Sequence, residues 1–200
     1  MRKIETVEEL EAIYGDPVNL AVMKVARRMT PLYRKWIEAS RFTILSTVGP
    51  EGTDGTPRGD DGPVVRIIDD HTLWMPDWRG NNRIDSLRNI VRDNRVSLMF
   101  MVPGCENLVR INGTAVVTDD AAVVETFAQK GKHPRTVISV TIEEMYFQCA
   151  KALMRSKLWA GEDKSSSVPS AGEFLREVKD DFDAEGYDQG YPKHAVSRMW

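Results

Sequence analysis

Between Arg41 and Phe147 the chain is built from short runs of β-branched and aromatic residues, each closed by a turn-forming cluster. None of these runs is followed by a long helical pattern. RFTILSTV, beginning at Arg41, places Phe42, Ile44, Leu45 and Val48 on a strand-like pattern, and the glycine- and proline-rich GPEGTDGTP after it reads as a loop. VVRIIDDHTLWMPD divides into two strands at Asp69-Asp70-His71. RVSLMFMV forms another strand ahead of Pro103-Gly104, and NLVRINGTAVVT and RTVISVTIEEMYF supply the remaining ones. Strands joined by short turns, with only brief helices between them, predict an antiparallel barrel or sandwich and exclude an alternating βαβ sheet. No internal repeat is present.

Helical patterns flank this block. Thr6-Val7-Glu8-Glu9 has the form of a capping box ahead of Leu10, Ile13 and Tyr14, and Gly15 closes the segment. From Pro17 to Ala39 a helical stripe is interrupted at Pro31. After the strands, CAKALMRSKLW is helix-like, GEDKSSSVPSAG is a flexible linker, EFLREVKDDF is a further short helix, and YDQGYPKHAVSRMW has no clear period. The expected organisation is an N-terminal helical arm over residues 1–40, a barrel with its C-terminal helix over 41–160, and a linker, short helix and tail of the same domain over 161–200.

At 200 residues with 42% hydrophobic and 28% charged side chains, the chain has the composition of a globular protein with one core. A formal net charge of -3 gives no electrostatic basis for binding nucleic acid or an acidic membrane surface. Cys105 and Cys149 lie far apart and are accompanied by three histidines, which argues against zinc. With acidic residues in the first 15 positions and no apolar run of spanning length, a cytoplasmic protein with reduced thiols is expected.

The densest concentration of hydrogen-bond donors is PDWRGNNRIDSLRNI, residues 76–90, with three arginines and three asparagines. Ile84, Leu87, Ile90 and Val91 recur at helical spacing, which puts Asn81 or Asn82 at the N-cap and makes the segment strand, turn, helix. Free N–H groups at a helix start, together with Asn81, Asn82 and Arg83, suit a phosphate. Arg79 and Arg88 are further candidate donors. The other reading of the same residues is a capped helix start with solvated arginines. Neither the dinucleotide-binding glycine motif nor a P-loop is present.

Taken in order, RFTILSTV, TPRGDDGPVVRIIDDHTLWMPD, GNNRIDSLRNI, RDNRVSLMF and LVRINGTA resemble the pyridoxamine 5'-phosphate oxidase-related flavoproteins over about residues 41 to 119. CAKALMRSKLW is similar to the C-terminal signature of one FMN-dependent subgroup. The resemblance implies the FMN-binding split-barrel fold, mainly β with flanking helices: a six-stranded antiparallel Greek-key barrel. It implies that Arg66 and Arg83 hold the FMN phosphate, with Asn81 and Asn82 where the family commonly has a serine and a basic residue. It implies that Arg58-Gly59-Asp60 runs along the flavin ring and that Asp77 faces the ribityl chain. Arg110 is expected to reach the cofactor from the other subunit of a homodimer, and Lys151 and Arg155, four apart on one helix face, with Ser156 following, to close the pocket.

An FMN-dependent oxidoreductase acting on a small molecule follows, with no side-chain nucleophile required. Pyridoxamine 5'-phosphate oxidation itself is disfavoured, because the chain ends HAVSRMW and lacks the arginine-histidine signature and terminal R-L-x-P expected of that enzyme. The alternatives are a non-catalytic flavin-binding or sensing protein and a deazaflavin-dependent reductase.

Overall fold

The computed structural model describes residues 1–200. Its centre is one antiparallel sheet of β1 (Phe42–Gly49), β2 (Gly52–Gly59), β3 (Arg66–Ile67), β4 (Thr72–Asp77), β5 (Arg95–Met101), β6 (Leu108–Thr118) and β7 (Thr136–Gln148), in the order β2-β1-β5-β6-β7-β4-β3. The expected mainly-β architecture with flanking helices is present, with seven strands in place of six. The additional strand is β2, which begins inside the segment read as a loop and runs on into Arg58-Gly59. Its glycines and Pro57 are poor strand formers, but β1 offers it an unbroken ladder from Phe42↔Gly59 to Gly49↔Gly52. Proline is tolerated there because β2 is an edge strand.

Alternation of side chains across the pleat decides what is inside. Leu45, Leu98, Phe100, Ile111, Val140 and Met145 are fully or almost fully buried, and they pack with Leu73 and Met75 of β4 into one core. The arm over 1–40 divides at about Arg27. Helix α1 (Val7–Tyr14), capped by Thr6, and helix α2 (Asn19–Met23) bury no residue. Helix α3 (Pro31–Ala39), capped by Thr30, drives Ile37 into the core beside Met29. The phenol of Tyr33 accepts from the Phe147 N–H at 3.1 Å and lies 3.3 Å from the Lys24 carbonyl, fastening α3 to the end of β7. Burial pushes that phenol above its ordinary pKa, against the opposing effect of the Phe147 hydrogen bond.

Helix α4 (Asp85–Arg92) lies over the β1–β2 hairpin and buries Ser86, Asn89 and Ile90. Asn89 donates to the Thr47 hydroxyl at 3.1 Å, and Ser86 donates to Asp54 at 2.7 Å. At the outer end Arg92 donates to both oxygens of Glu51, at 2.7 and 2.9 Å. The Glu51 backbone N–H and Arg92 hold that carboxyl below the usual range. The Asn89 and Ser86 bonds fix the turn that precedes α4 relative to the β1–β2 hairpin.

The connections and tail complete the chain. Short helix α5 (Ala121–Val124) lies between β6 and β7, and α6 (Lys151–Ser156) follows β7. A 3-10 turn at Ser165–Ser167 leads to α7 (Ala171–Val178) and α8 (Ala184–Val196). The tail without a readable period is therefore mostly helix. Its Gly186, Gly190 and Pro192 obscure the pattern, while Asp183 caps the helix by accepting from the Gly186 N–H at 2.9 Å. Asp188 of α8 accepts from the Ser170 hydroxyl and from the Gly172 N–H, binding α8 to the start of α7.

At the bulge between Asn112 and Gly113 the strands β6 and β7 shift register. A Cβ at Gly113 would lie 1.9 Å from the Thr141 carbonyl oxygen, within backbone that cannot yield cheaply. Gly113→Ala is expected to destabilise the fold by about 1–3 kcal/mol, the scale of overpacking, as a lowered urea midpoint at unchanged m-value. Gly55→Ala, where an added Cβ meets nothing within 4 Å, is the matched control.

Candidate functional site

The sheet does not close through backbone hydrogen bonds between β2 and β4; instead side chains bring these two strands together. Arg58 near the end of β2 forms an ion pair with Asp77 at the end of β4, their side chains 19% and 20% exposed. One residue beyond each, Trp78 donates its indole N–H to Asp60 at 2.7 Å, and Asp60 also accepts from Gln129. These contacts leave a cleft of about 1340 Å³ between the end of β2, the turn after β4 and helix α8.

The turn has an unusual backbone. Asn82 and Ile84 have φ of 62° and 53°, and for the β-branched Ile84 the left-handed region is costly. Asn81 is not the N-cap of α4, nor is Asn82: that position is Ile84, which offers no side-chain oxygen. Asn81 instead accepts from the Arg83 N–H at 3.0 Å, a local turn that competes with helix and delays its start to Asp85. Capping, the commonplace explanation of the asparagines, therefore does not account for them. Arg83 donates to Asp85 at 2.9 Å and is otherwise open to solvent. Arg79 and the Asn82 amide make no hydrogen bond within the chain. The Nε of Arg58 is buried with no partner.

Of the residues singled out from sequence, Arg58, Gly59, Asp60, Asp77, Asn81, Asn82 and Arg83 line this one cleft. Arg66 does not. Its guanidinium donates to the Thr126 carbonyl at 2.9 Å and stacks 4.1 Å from the centre of the Phe127 ring, so Arg66 and Arg83 do not form a clamp within one chain. The side chain of an edge residue on the two-residue strand β3 is free to turn to the α5–β7 connection, a choice invisible to sequence spacing. Arg110 also lies outside the cleft, on β6 near Tyr146 at 3.4 Å and the Gln148 amide. Lys151, Arg155 and Ser156 of α6 are likewise apart from it; Ser156 donates to the Leu153 carbonyl at 3.0 Å.

Sequence reasoning missed the wall formed by Tyr191, His194, Arg198 and Trp200. The available signal was the spacing of Tyr191 and His194 on a single helical face, masked by Gly190 and Pro192; Arg198 lies in the turn beyond the helix end at Val196. Trp78, inside the stretch already singled out for its donors, was passed over because its partner Asp60 is 18 residues away.

An antiparallel sheet whose strands β2 and β4 are joined only by side chains, beside a polar, arginine-bearing cleft, defines a split-barrel fold. A family model described as pyridoxamine 5'-phosphate oxidase matches residues 29–149, and the chain belongs to that family. Comparison with curated proteins gives no match. Among solved structures, a protein from Lactobacillus delbrueckii provisionally named a pyridoxamine 5'-phosphate oxidase is 21% identical, aligning 60% of this chain with 95% of its own at a TM-score of 0.49. HupZ of Group A Streptococcus is 20% identical over 58% of this chain and 91% of its own, with a TM-score of 0.47. A Clostridium acetobutylicum protein related to general stress protein 26 is 15% identical over 57% and 84%, with a TM-score of 0.44. The family assignment rests on the family model alone. No helix is long and apolar enough to cross a membrane.

Replacing Asp77 by Asn leaves the Arg58 guanidinium four-fifths buried without a countercharge. The expected cost is about 1–3 kcal/mol of folding stability, below the full penalty for a buried pair because water reaches one-fifth of each side chain. Chemical denaturation of Asp77→Asn beside Arg41→Ala, whose pair with Asp61 is exposed, measures the difference.

Proposed function

We propose that the cleft binds FMN and that the protein is an FMN-dependent oxidoreductase acting on a small molecule. The single observation that carries this reading is the convergence of Arg58-Gly59-Asp60, Asp77 and Asn81-Asn82-Arg83 on one cleft in a chain of this family. The donor set fits the group. Arg58 has a buried N–H in need of an acceptor, and the Asn82 amide and Arg79 are free to donate. Arg83 holds only the exposed Asp85. A phosphate at the turn would receive charge-assisted hydrogen bonds from Arg83, with Asn82 beside it. The Arg58 Nε–H would donate toward the ring system, held in orientation by Asp77.

When bound, FMN supplies hydride or single-electron transfer. The protein's own residues bind, orient and desolvate: Met75, Pro76 and Val64 form buried floor, and Trp78, fixed by Asp60, forms a rigid edge. Arg66, Arg110, Lys151, Arg155 and Ser156 lie outside the cleft of their own chain, so their assigned roles require a second copy. A homodimer with each cofactor between two subunits accommodates them. A cytoplasmic location is part of the same reading.

Arg83→Ala is expected to weaken FMN binding by about 1.5–3 kcal/mol, whereas Arg92→Ala, whose partner is Glu51 at the far end of α4, shifts it less than about twofold. Fluorescence titration of both variants measures this, and equal effects would contradict a phosphate site at the turn. Rapid, saturable reduction of the FMN-loaded protein by NADH or NADPH identifies an enzyme. Failure with several donors leaves a flavin-binding or sensing protein, and preferential binding of the longer deazaflavin cofactor in a parallel titration would replace FMN.

A further inference from the structure

The α8 wall is not used by any residue assigned to the cofactor. Tyr191 and His194, three residues apart, share one face of α8, Arg198 follows in the turn beyond Val196, and all three line the cleft with Trp200. Two of the aromatic rings bounding the cleft are held in place before any ligand arrives. Trp78 is hydrogen-bonded to Asp60, and the Trp200 ring carries the Lys130 ammonium 3.8 Å from its centre. Tyr191 stacks on Tyr187 at 5.7 Å between ring centres.

Among these rings Arg198 forms no ion pair. The one polar contact of its side chain joins Nη1 to His194 Nε2 at 3.1 Å. Arginine can only donate, so Nε2 is the acceptor in this contact. The contact uses one of five guanidinium N–H groups and steadies the side chain, leaving an edge for a bidentate acceptor. Arg79 is also unpaired, but it adjoins Gly80 and Asn81 in the turn assigned to the phosphate. Arg198 is the free cation on the other wall.

We propose that Arg198, steadied by His194 and bordered by Tyr191 and Trp200, recognises the carboxylate of a small planar organic acid bound beside the cofactor. The class follows from the chemistry: a guanidinium edge matches a carboxylate, and fixed aromatic rings favour a flat apolar body. The position beside the cofactor rests on the FMN reading; the acid-binding wall does not.

The test uses the full chain loaded with FMN and benzoate as probe, with benzamide as its neutral counterpart. Binding is followed both by perturbation of the flavin absorption and by tryptophan fluorescence, which reports whether or not flavin is bound. Benzoate should bind at least tenfold more tightly than benzamide. Arg198→Ala should weaken benzoate roughly 10- to 100-fold, Arg198→Lys should recover only part, and neither should change FMN affinity by more than about twofold. Circular dichroism checks that α8 persists in both variants. Equal binding of benzoate and benzamide, or equal benzoate binding by Arg198→Ala, would overturn the proposal and leave a solvated cation at a helix end. Weakening of FMN by Arg198→Ala to the extent caused by Arg83→Ala would also overturn it, assigning Arg198 to the cofactor. If FMN fails to bind while tryptophan fluorescence still reports Arg198-dependent benzoate binding, the cofactor reading falls and the acid site stands.

Discussion

The pairing of Arg58 with Asp77 is the constraint on which the rest of the site depends. The sheet ends at β2 on one side and at the two-residue β3 on the other, so the end of β4 beyond the short β3 ladder has to be held at a fixed separation from β2, with which it shares no backbone ladder. One partly desolvated ion pair joins them, reinforced a residue later by Trp78 and Asp60. A side-chain bridge of this kind holds the edges without filling the space between them. A backbone ladder at the same place would have closed the barrel and removed the cleft. The bridge also leaves the Arg58 Nε–H buried and unspent, so the group that holds the split has a donor left for whatever occupies it.

The two walls beside this bridge are built in different ways. The turn wall is pinned from behind by Asn89 and Ser86, which anchor α4 to the β1–β2 hairpin, and it tolerates left-handed Asn82 and Ile84. Strain concentrated in a donor-rich turn, held by buried hydrogen bonds, belongs to a preorganised binding loop. The α8 wall is joined to α7 through Asp188, and to the α5–β7 connection through Lys130 against Trp200 and Lys132 against the Ser197 carbonyl at 3.5 Å. A rigid turn suits a resident cofactor, and a wall carried on a separate helical pair suits a ligand that enters and leaves.

The strand alternation of RVSLMFMV and RTVISVTIEEMYF carried the fold because their inward positions are core positions: Leu98, Phe100 and Val140 follow directly from period two, whereas RFTILSTV buries Thr43, Leu45 and Thr47 and leaves Phe42 exposed. What stayed hidden depended on partners remote in sequence. Strand β2 exists because β1 offers it a ladder, against its own propensity. Helix α8 exists because Asp183 and Asp188 cap and dock a segment interrupted by Pro192. The cleft residues on Arg58-Gly59-Asp60 and the turn were legible from family-like motifs, yet the direction of Arg66 toward Thr126 and Phe127 was not. Motif order fixes where a residue stands along the chain, while the rotamer of an edge arginine is chosen by neighbours 60 residues away.

The most direct measurement of the central claim is the visible spectrum of the purified protein, followed by release and mass spectrometry of any chromophore and titration of the stripped protein with FMN. A flavin absorption band, a released mass equal to FMN, and saturable fluorescence quenching at one FMN per chain are the expected results. A colourless protein that neither quenches FMN fluorescence nor gains thermal stability from it would contradict the assignment of the cleft.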